Sequence, residues 1–355
     1  MATPIIDADP RGRLVDRELS WLAFNERVLS LAEDSSLPLL ERCRFLAIFS
    51  SNLDDFYMIR VATLKRKIET GLLKPNSAGI SPTELLEKIS ETTRSLISRQ
   101  TECFHRSILP ELTKNGIEIV TWEQLSGVEI EYIRQVFESR IFPVLTPLAV
   151  DPSHPFPYIS GLSLNLAVVL KKPGVEEEQF ARVKVPSNLP RFIPTSDRGT
   201  GRFIPLEQVL SENLDQLFPG MTIVQHHTFR VTRNADLELE EEESEDLLAT
   251  MEQELLRRKF GPPVRLEVED DIDSELLHTL VDELDILDPD IIRYPGPLDL
   301  TALNTLIDLD RPELKYPAFQ SQIPWGLRDV DTSSNDELFD SCLLYTSDAA
   351  DDLLC

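Results

Sequence analysis

The first third of the chain carries its apolar residues at the spacing of an α-helix. In the first stretch they stand at Trp21, Leu22, Phe24, Val28, Leu29 and Ala32. Glu26 and Arg27 fall on the opposite face, so the pattern predicts an amphipathic helix. Because a helix of this kind buries one face, we expect Trp21 and Phe24 in the core.

Three more helices follow in the pattern. The second covers residues 39–49, and the third runs from Asn52 to about Thr70, where Gly71 ends it. Ser50 and Ser51 mark the predicted break between them. A capping box at residues 81–84 then begins a long helix, which ends at residues 115–116. Several helices with short connections predict an antiparallel bundle.

After residue 116 the pattern changes to short strand-like runs with helices between them. The strands are predicted at residues 117–120, 162–170, 180–185, 223–231 and 264–268, and the helices at 126–140 and 206–217. The run at 264–268 alternates apolar and charged residues, which is typical of an edge strand. The acidic run at 236–246 is interpreted as the solvated start of another helix.

The predicted fold class is therefore α+β, with an amino-terminal antiparallel helical bundle followed by a mixed α/β head domain. We expect a disordered leader at 1–11, the helical domain at 12–118 and the head domain at 119–325. The length of 355 residues is enough for two or three domains.

The charge of the chain is unevenly distributed. The net charge is -27, yet residues 1–118 carry 16 basic and 17 acidic side chains, against 19 and 45 in the remainder. A nucleic-acid-binding surface has to be basic to displace counterions from phosphates. The acidity therefore argues against nucleic acid as a partner.

The sequence shows no pattern of a membrane span, a secretory signal or a set of disulfide-bonded cysteines. No apolar run approaches the roughly 18 residues that span a bilayer, which leaves only peripheral membrane contact open. The start of the chain has no secretory signal pattern, and the four cysteines have no metal-ligand or disulfide spacing. We expect a cytoplasmic protein.

Familiar catalytic motifs are also missing. There is no phosphate-binding glycine loop, and none of the five histidines stands in an H-E-x-x-H or H-x-K motif. His226 and His227 fall on a predicted strand, where neighbours point to opposite faces, so a metal shared by both is geometrically poor. The sequence predicts no metal ligands and no catalytic residue.

One polar group stands out at the predicted start of the third helix. Asn52 lies in the run Ser-Ser-Asn-Leu-Asp-Asp-Phe, ahead of Arg60, Lys65, Arg66 and Lys67. An asparagine there caps the helix, or it contacts a base edge or phosphate near free backbone N–H groups. Both interpretations stay open, and the basic residues fit either an anion or a solvated helix end.

Several longer stretches resemble the bacterial polyphosphate kinase family. They are RELSWLAFNERVL at 17–29, RFLAIFSSNLDDFYMIRV at 44–61, FPVLTPLAV at 142–150, residues 186–194, FRVTRNADL at 229–237 and LKYP at 314–317. In that family a helical domain and a mixed head domain precede two phospholipase-D-like catalytic domains.

The resemblance implies a function and a binding residue. It implies reversible transfer of the terminal phosphate of ATP to long-chain inorganic polyphosphate through a phosphohistidine on the third domain, with Mg²⁺ in the complete enzyme. Asn52 matches the family's ATP-contacting asparagine. ATP, ADP and polyphosphate are the implied ligands, and a homo-oligomer is the implied assembly.

The end of the chain is expected to lie outside the natural protein. Residues 326–341 match the start of the first catalytic domain, while residues 342–352 back-translate to a sequence that resembles the transposase adapter of sequencing libraries, so we expect 342–355 to be an adapter artefact. We therefore expect a truncated chain that supplies ATP-binding and assembly domains and is inactive alone. The alternative is a non-catalytic nucleotide-binding or oligomerisation module.

Overall fold

The computed structural model describes residues 14–149, 156–175, 177–197, 199, 201–235 and 261–320. The predicted leader, the acidic run at 236–246, and the segments 326–341 and 342–355 lie outside the described residues. Residues 17–114 form the helical part and residues 118–314 the mixed part. The α+β prediction is confirmed.

The helical part contains long helices joined by short connections. They are α1 (Arg17–Glu33), α2 (Leu39–Asp55), α3 (Ala62–Glu69), α4 (Pro82–Cys103) and α5 (Leu109–Lys114). Arg42 Nε donates to the carbonyl oxygen of Ala32 over 2.8 Å, and Asn25 Nδ2 to that of Phe49 over 3.2 Å. The first contact joins the end of α1 to the start of α2, and the second joins earlier α1 to later α2. The two helices therefore run antiparallel, as predicted.

The ends of these helices follow their local sequence. Ser81 Oγ accepts a hydrogen bond from Glu84 N at the start of α4, as the capping box predicts. A π-helical turn at Phe104–Ile108 continues α4 into α5. Gly116 follows with a φ of +74°, a conformation that glycine adopts without strain.

The mixed part is built on a six-stranded sheet and a smaller three-stranded one. The strands are β1 (Glu118–Ile119), β2 (Leu148–Ala149), β3 (Leu164–Lys171), β4 (Glu178–Lys184), β5 (Phe192–Pro194), β6 (Arg202–Pro205), β7 (Thr222–Arg233), β8 (Pro263–Glu269) and β9 (Ile291–Tyr294). The helices are α6 (Gly127–Val136), α7 (Leu206–Ser211), α8 (Leu214–Leu217), α9 (Ser274–Leu284) and α10 (Asn304–Ile307). The larger sheet has the order β2-β4-β3-β7-β8-β9, and the smaller β1-β6-β5.

The large sheet is buried on both faces. Leu166 and Val168 of β3 belong to a core that continues into the helical part, while Ala167 and Val169 belong to a second core against α9. Successive strand residues point to opposite faces, and both faces of β3 are covered, which explains the apolar run from Leu166 to Leu170. The buried Asn165 stands before this run.

Two expectations about exposure are wrong. Strand β8 pairs with β7 on one side and β9 on the other, so it is an interior strand and not an edge. Its charged residues, Arg265 and Glu267, are buried in an ion cluster that their alternation with apolar residues does not reveal. Phe24, expected in the core, is 46% exposed, whereas Trp21 stacks on Phe56 with ring centroids 4.7 Å apart.

No helix in the described part of the chain is long and apolar enough to cross a bilayer.

Candidate functional site

Asn52 lies inside a helix and does not begin one. Helix α2 continues through Ser50 and Ser51 to Asp55, and a π-helical turn at Phe56–Val61 joins it to α3. The predicted break at residues 50–52 is therefore wrong, and so is the capping role for Asn52. An N-cap needs unpaired backbone N–H groups in the first helical turn, and a residue inside a continuous helix has none nearby.

The side chain of Asn52 is held by a second asparagine. Its Nδ2 donates to Oδ1 of Asn25 on α1 over 3.0 Å. Asn25 is fully buried, and its own Nδ2 donates to the carbonyl oxygen of Phe49. The chain Asn52 to Asn25 to Phe49 thus fixes the orientation of the partly exposed Asn52 amide.

A buried ion cluster surrounds the end of α2, two residues beyond Asn52. Arg230 Nη1 donates to Asp54 Oδ1 over 2.9 Å and to Glu267 Oε2 over 2.8 Å. Arg265 Nη2 donates to Asp54 Oδ1 over 2.5 Å, and it lies 3.1 Å from Glu267 Oε2. The Arg265 guanidinium also stacks over the ring of Tyr57, 4.6 Å from its centroid.

The two guanidinium groups of this cluster face the carboxylates of Asp54 and Glu267, and Asp299 Oδ1 lies 3.9 Å from Arg230 Nη2. Burial alone raises the pKa of Asp54, but the charges and hydrogen bonds of Arg230 and Arg265 outweigh it and lower that pKa. Asp54 therefore stays ionised. Because Arg230 lies on β7 and Arg265 on β8, the cluster fixes the end of α2 to the centre of the large sheet.

The basic residues that follow Asn52 in sequence serve different purposes. Lys65 forms an ion pair with Asp290, and its Nζ donates to the carbonyl oxygen of Val264 over 2.9 Å. Both partners are largely buried, so Lys65 is neither at a solvated helix end nor directed to an external anion. Arg60 Nε lies 3.9 Å from Glu18 Oε2 and is half exposed.

The described cysteines are poor nucleophiles. Burial raises the pKa of Cys43 to about 12, and burial also raises the pKa of Cys103. The reactive form of cysteine is the thiolate, so both thiols are inert near neutral pH.

Among the described residues, one group of three potential metal ligands comes together. It consists of His227, Glu269 and Asp271, whose nearest ligand atoms lie within 4.8 Å of one another. Mg²⁺ prefers an all-oxygen set of ligands. We therefore assign no Mg²⁺ ligand to this part of the chain.

Comparison with known proteins identifies the family. Residues 14–120 match the polyphosphate kinase N-terminal domain, and residues 129–306 match the polyphosphate kinase middle domain. The second match alone covers half of the chain. The chain therefore belongs to the polyphosphate kinase family.

Individual relatives agree with this assignment. The polyphosphate kinase of Streptomyces coelicolor is 54% identical over 330 residues, which are 93% of this chain and 44% of that protein. The enzyme of Mycobacterium avium is 52% identical over 328 residues, 90% of this chain and 45% of that protein. The crystal structure of polyphosphate kinase from Porphyromonas gingivalis matches with a TM-score of 0.73 and 29% identity, over 89% of this chain and 44% of that one. The chain spans less than half the length of these relatives.

Asn52 stays a prediction from the sequence, and the sequence reasoning named neither its partner Asn25 nor the two arginines that pair with the nearby Asp54. The sequence does hold a sign that Asn25 is buried. It is a polar residue on the same helix face as the apolar Leu22, Val28 and Leu29. Arg230 and Arg265 lie 176 and 211 positions beyond Asp54, and no local pattern links them to it.

Proposed function

We propose that this chain forms the amino-terminal and middle part of an enzyme that transfers the terminal phosphate of ATP reversibly to long-chain inorganic polyphosphate. The family match over residues 129–306 carries this proposal. The transfer passes through a phosphohistidine, which by the resemblance lies on the third domain. Covalent transfer divides one difficult displacement into two easier ones.

The contribution of the helical part is a contact between Asn52 and ATP. The amide of Asn52 gives one hydrogen to Asn25, while its Oδ1 accepts no hydrogen bond from the described residues. The second N–H and Oδ1 together present a donor beside an acceptor. An asparagine amide pairs in this way with N7 and the N6 amino group of adenine. The fixed partner Asn25 lowers the entropy cost of that pairing.

The contact can be tested in a complete enzyme in which residues 14–320 of this chain replace the matching part of the Streptomyces coelicolor relative. Asn52→Ala should lower kcat/KM for ATP by about tenfold, the effect of two lost hydrogen bonds. Ser51→Ala, at the exposed neighbouring position, is the matched control and should leave kcat/KM unchanged. Equal kcat/KM values in Asn52→Ala and the unsubstituted enzyme would refute the contact.

The 355-residue chain alone is proposed to make no polyphosphate. Its share of the relatives' length is 44% to 45%, and none of its five histidines lies in an H-x-K motif. Incubation of the purified chain with ATP and Mg²⁺, followed by detection of polyphosphate, tests this directly. Chain growth in that assay would contradict the proposal. Since the proposed substrate is ATP, we place the enzyme in the cytoplasm.

We also propose that the enzyme assembles as a homo-oligomer through these domains. Phe24 and Leu31 lie seven residues apart on α1, and both are exposed, at 46% and 40%. Such a pair forms an apolar strip on the outer face of a helix. Sedimentation of the chain with and without Phe24→Ser should show a shift toward monomer in the variant, and an unchanged distribution would exclude this strip.

A further inference from the structure

His227, Glu269 and Asp271 meet where strands β7 and β8 approach the loop before α9. Nδ1 of His227 lies 3.4 Å from Oε2 of Glu269 and 3.7 Å from Oδ1 of Asp271. Two cis ligands on one metal ion lie about 3.0–3.4 Å apart when metal–ligand bonds are about 2.1 Å. The two distances from His227 are at or slightly above this range, and all three ligand atoms lie within 4.8 Å of one another, so small side-chain movements would bring them into one coordination shell.

The backbone around the three side chains is fixed. Glu269 is the last residue of β8, and its Oε2 also accepts a hydrogen bond of 2.9 Å from Thr228 N on β7. The Asp270 backbone N–H donates to the carbonyl oxygen of Tyr294 on β9 over 2.8 Å. Metal ligands are commonly held by hydrogen bonds of this kind, which orient them before the ion arrives.

Two of the three side chains are largely shielded from solvent, and the third is exposed. His227 is 15% exposed and Glu269 31%, whereas Asp271 is 78% exposed. The hydrogen bond from Thr228 N holds Glu269 in place beside His227, and the exposed Asp271 side chain is free to turn toward an ion. The group opens into a hollow of about 480 Å³ between the helical part and the sheet, so water or a phosphate oxygen has room to complete the coordination.

A ligand set of one imidazole and two carboxylates favours some metal ions over others. Imidazole nitrogen suits zinc and its neighbours in the first transition series, while carboxylate suits these and harder ions. Mg²⁺ favours oxygen ligands in a strict octahedron. We propose that His227, Glu269 and Asp271 bind one divalent transition-metal ion, with Zn²⁺ as the representative ion.

This site shares no residue with the pair at Asn52 or with the ion cluster at Asp54. The sequence predicts no metal ligands, and a metal shared by His226 and His227 is geometrically poor. A strand does not direct two neighbouring side chains to one ion, and only His227 joins the two carboxylates. The second histidine is thus a natural control.

Zn²⁺ titration calorimetry on the 355-residue chain tests the proposal. We expect one Zn²⁺ site, and His227→Gln should abolish it. Asp271→Asn should lower the Zn²⁺ affinity by at least about tenfold, because even the loss of a residue that only orients a metal ligand has an effect of this size. His226→Gln and Asp270→Asn are the matched controls and should bind Zn²⁺ within about twofold of the unsubstituted chain. Mg²⁺ at the same concentration should give no heat of binding at this site.

Co²⁺ gives a second measurement on the same proteins. Its visible absorption should appear in the unsubstituted chain and in His226→Gln, and should be lost in His227→Gln. The exposed Asp271 keeps the test valid even where a substitution at His227 impairs folding. Zn²⁺ affinity that is the same in Asp271→Asn and in Asp270→Asn, or an unsubstituted chain that binds no Zn²⁺, would overturn the proposal.

Discussion

Asn52 Nδ2 donates a 3.0 Å hydrogen bond to Asn25 Oδ1, across the contact between α2 and α1. The bond joins a partly exposed amide to a fully buried one, which in turn is anchored to a backbone carbonyl. A surface residue on a helix ordinarily samples several rotamers. The hydrogen bond to Asn25 instead holds the Asn52 amide in one orientation.

Asn25→Ala is expected to destabilise the chain by about 1–3 kcal/mol. The substitution removes the two hydrogen bonds that the buried Asn25 amide makes, one to the Phe49 carbonyl oxygen and one from Asn52, and each is worth about 0.5–1.5 kcal/mol. Urea unfolding followed by circular dichroism measures the change. Asn52→Ala is the comparison, and because Asn52 is partly exposed its cost should stay below about 1 kcal/mol. Equal losses in both variants would show that Asn25 does not anchor the pair.

Asp54→Asn is expected to cost about 3–5 kcal/mol, because it removes the buried carboxylate that pairs with both Arg230 and Arg265. The adjacent Asp55 is exposed and offers the matched control, with an expected change within about 0.5 kcal/mol for Asp55→Asn. Urea unfolding of both variants measures the loss of free energy of unfolding that each substitution causes. A loss below about 1 kcal/mol in Asp54→Asn would mean that the cluster does not hold α2 against the sheet.

The ionised Glu129 carboxylate should make the free energy of unfolding depend on pH. Burial raises its pKa, but hydrogen bonds from Ser126, Thr195 and Arg202 outweigh this and lower the pKa to about 2. A carboxyl group whose pKa is lower in the folded state stabilises the fold above its unfolded pKa of 4.5. That stabilisation is lost as the pH falls from about 4.5 toward about 2.

The test compares the thermal unfolding of Glu129→Gln with that of the unsubstituted chain across this pH range. The variant should be less stable than the unsubstituted chain at pH 6, and the difference should shrink steadily as the pH approaches 3. Glu131→Gln, on the same helix two residues away, should show no such convergence. A difference that stays constant from pH 6 to pH 3 would contradict the assigned role of Glu129.

The sequence predicts those elements whose causes are local. The periodicity of α1 and the Ser81 cap of α4 depend on residues within a few positions of one another, and the structure confirms both the helix α1 and the hydrogen bond from Glu84 N to Ser81 Oγ. The predicted break at residues 50–52 depends on the turn preference of Ser50, Ser51 and Asn52. Tertiary contacts override that preference, because Gln100 Nε2 donates to Ser50 Oγ over 2.6 Å from the neighbouring helix.

The surroundings of the site could not be predicted from one sequence for the same reason. The position of Asn52 in the chain was identified through its Ser-Asn-Leu-Asp context, yet its partner Asn25 lies 27 positions away. The alternation in β8 is that of a half-exposed strand, and the contact that joins the buried Arg265 to the distant Asp54 has no signal along the chain. Patterns along the chain carry no information about which distant charge neutralises another.

The central claim is that this chain does the work of the amino-terminal and middle domains of a polyphosphate kinase. The most direct measurement is ATP-dependent polyphosphate synthesis by the enzyme in which residues 14–320 replace the matching part of the Streptomyces coelicolor relative. We expect a kcat within about tenfold of the unmodified relative, and no synthesis when those residues are deleted. A folded hybrid that binds ATP but makes no polyphosphate would contradict the claim and favour a non-catalytic nucleotide-binding module.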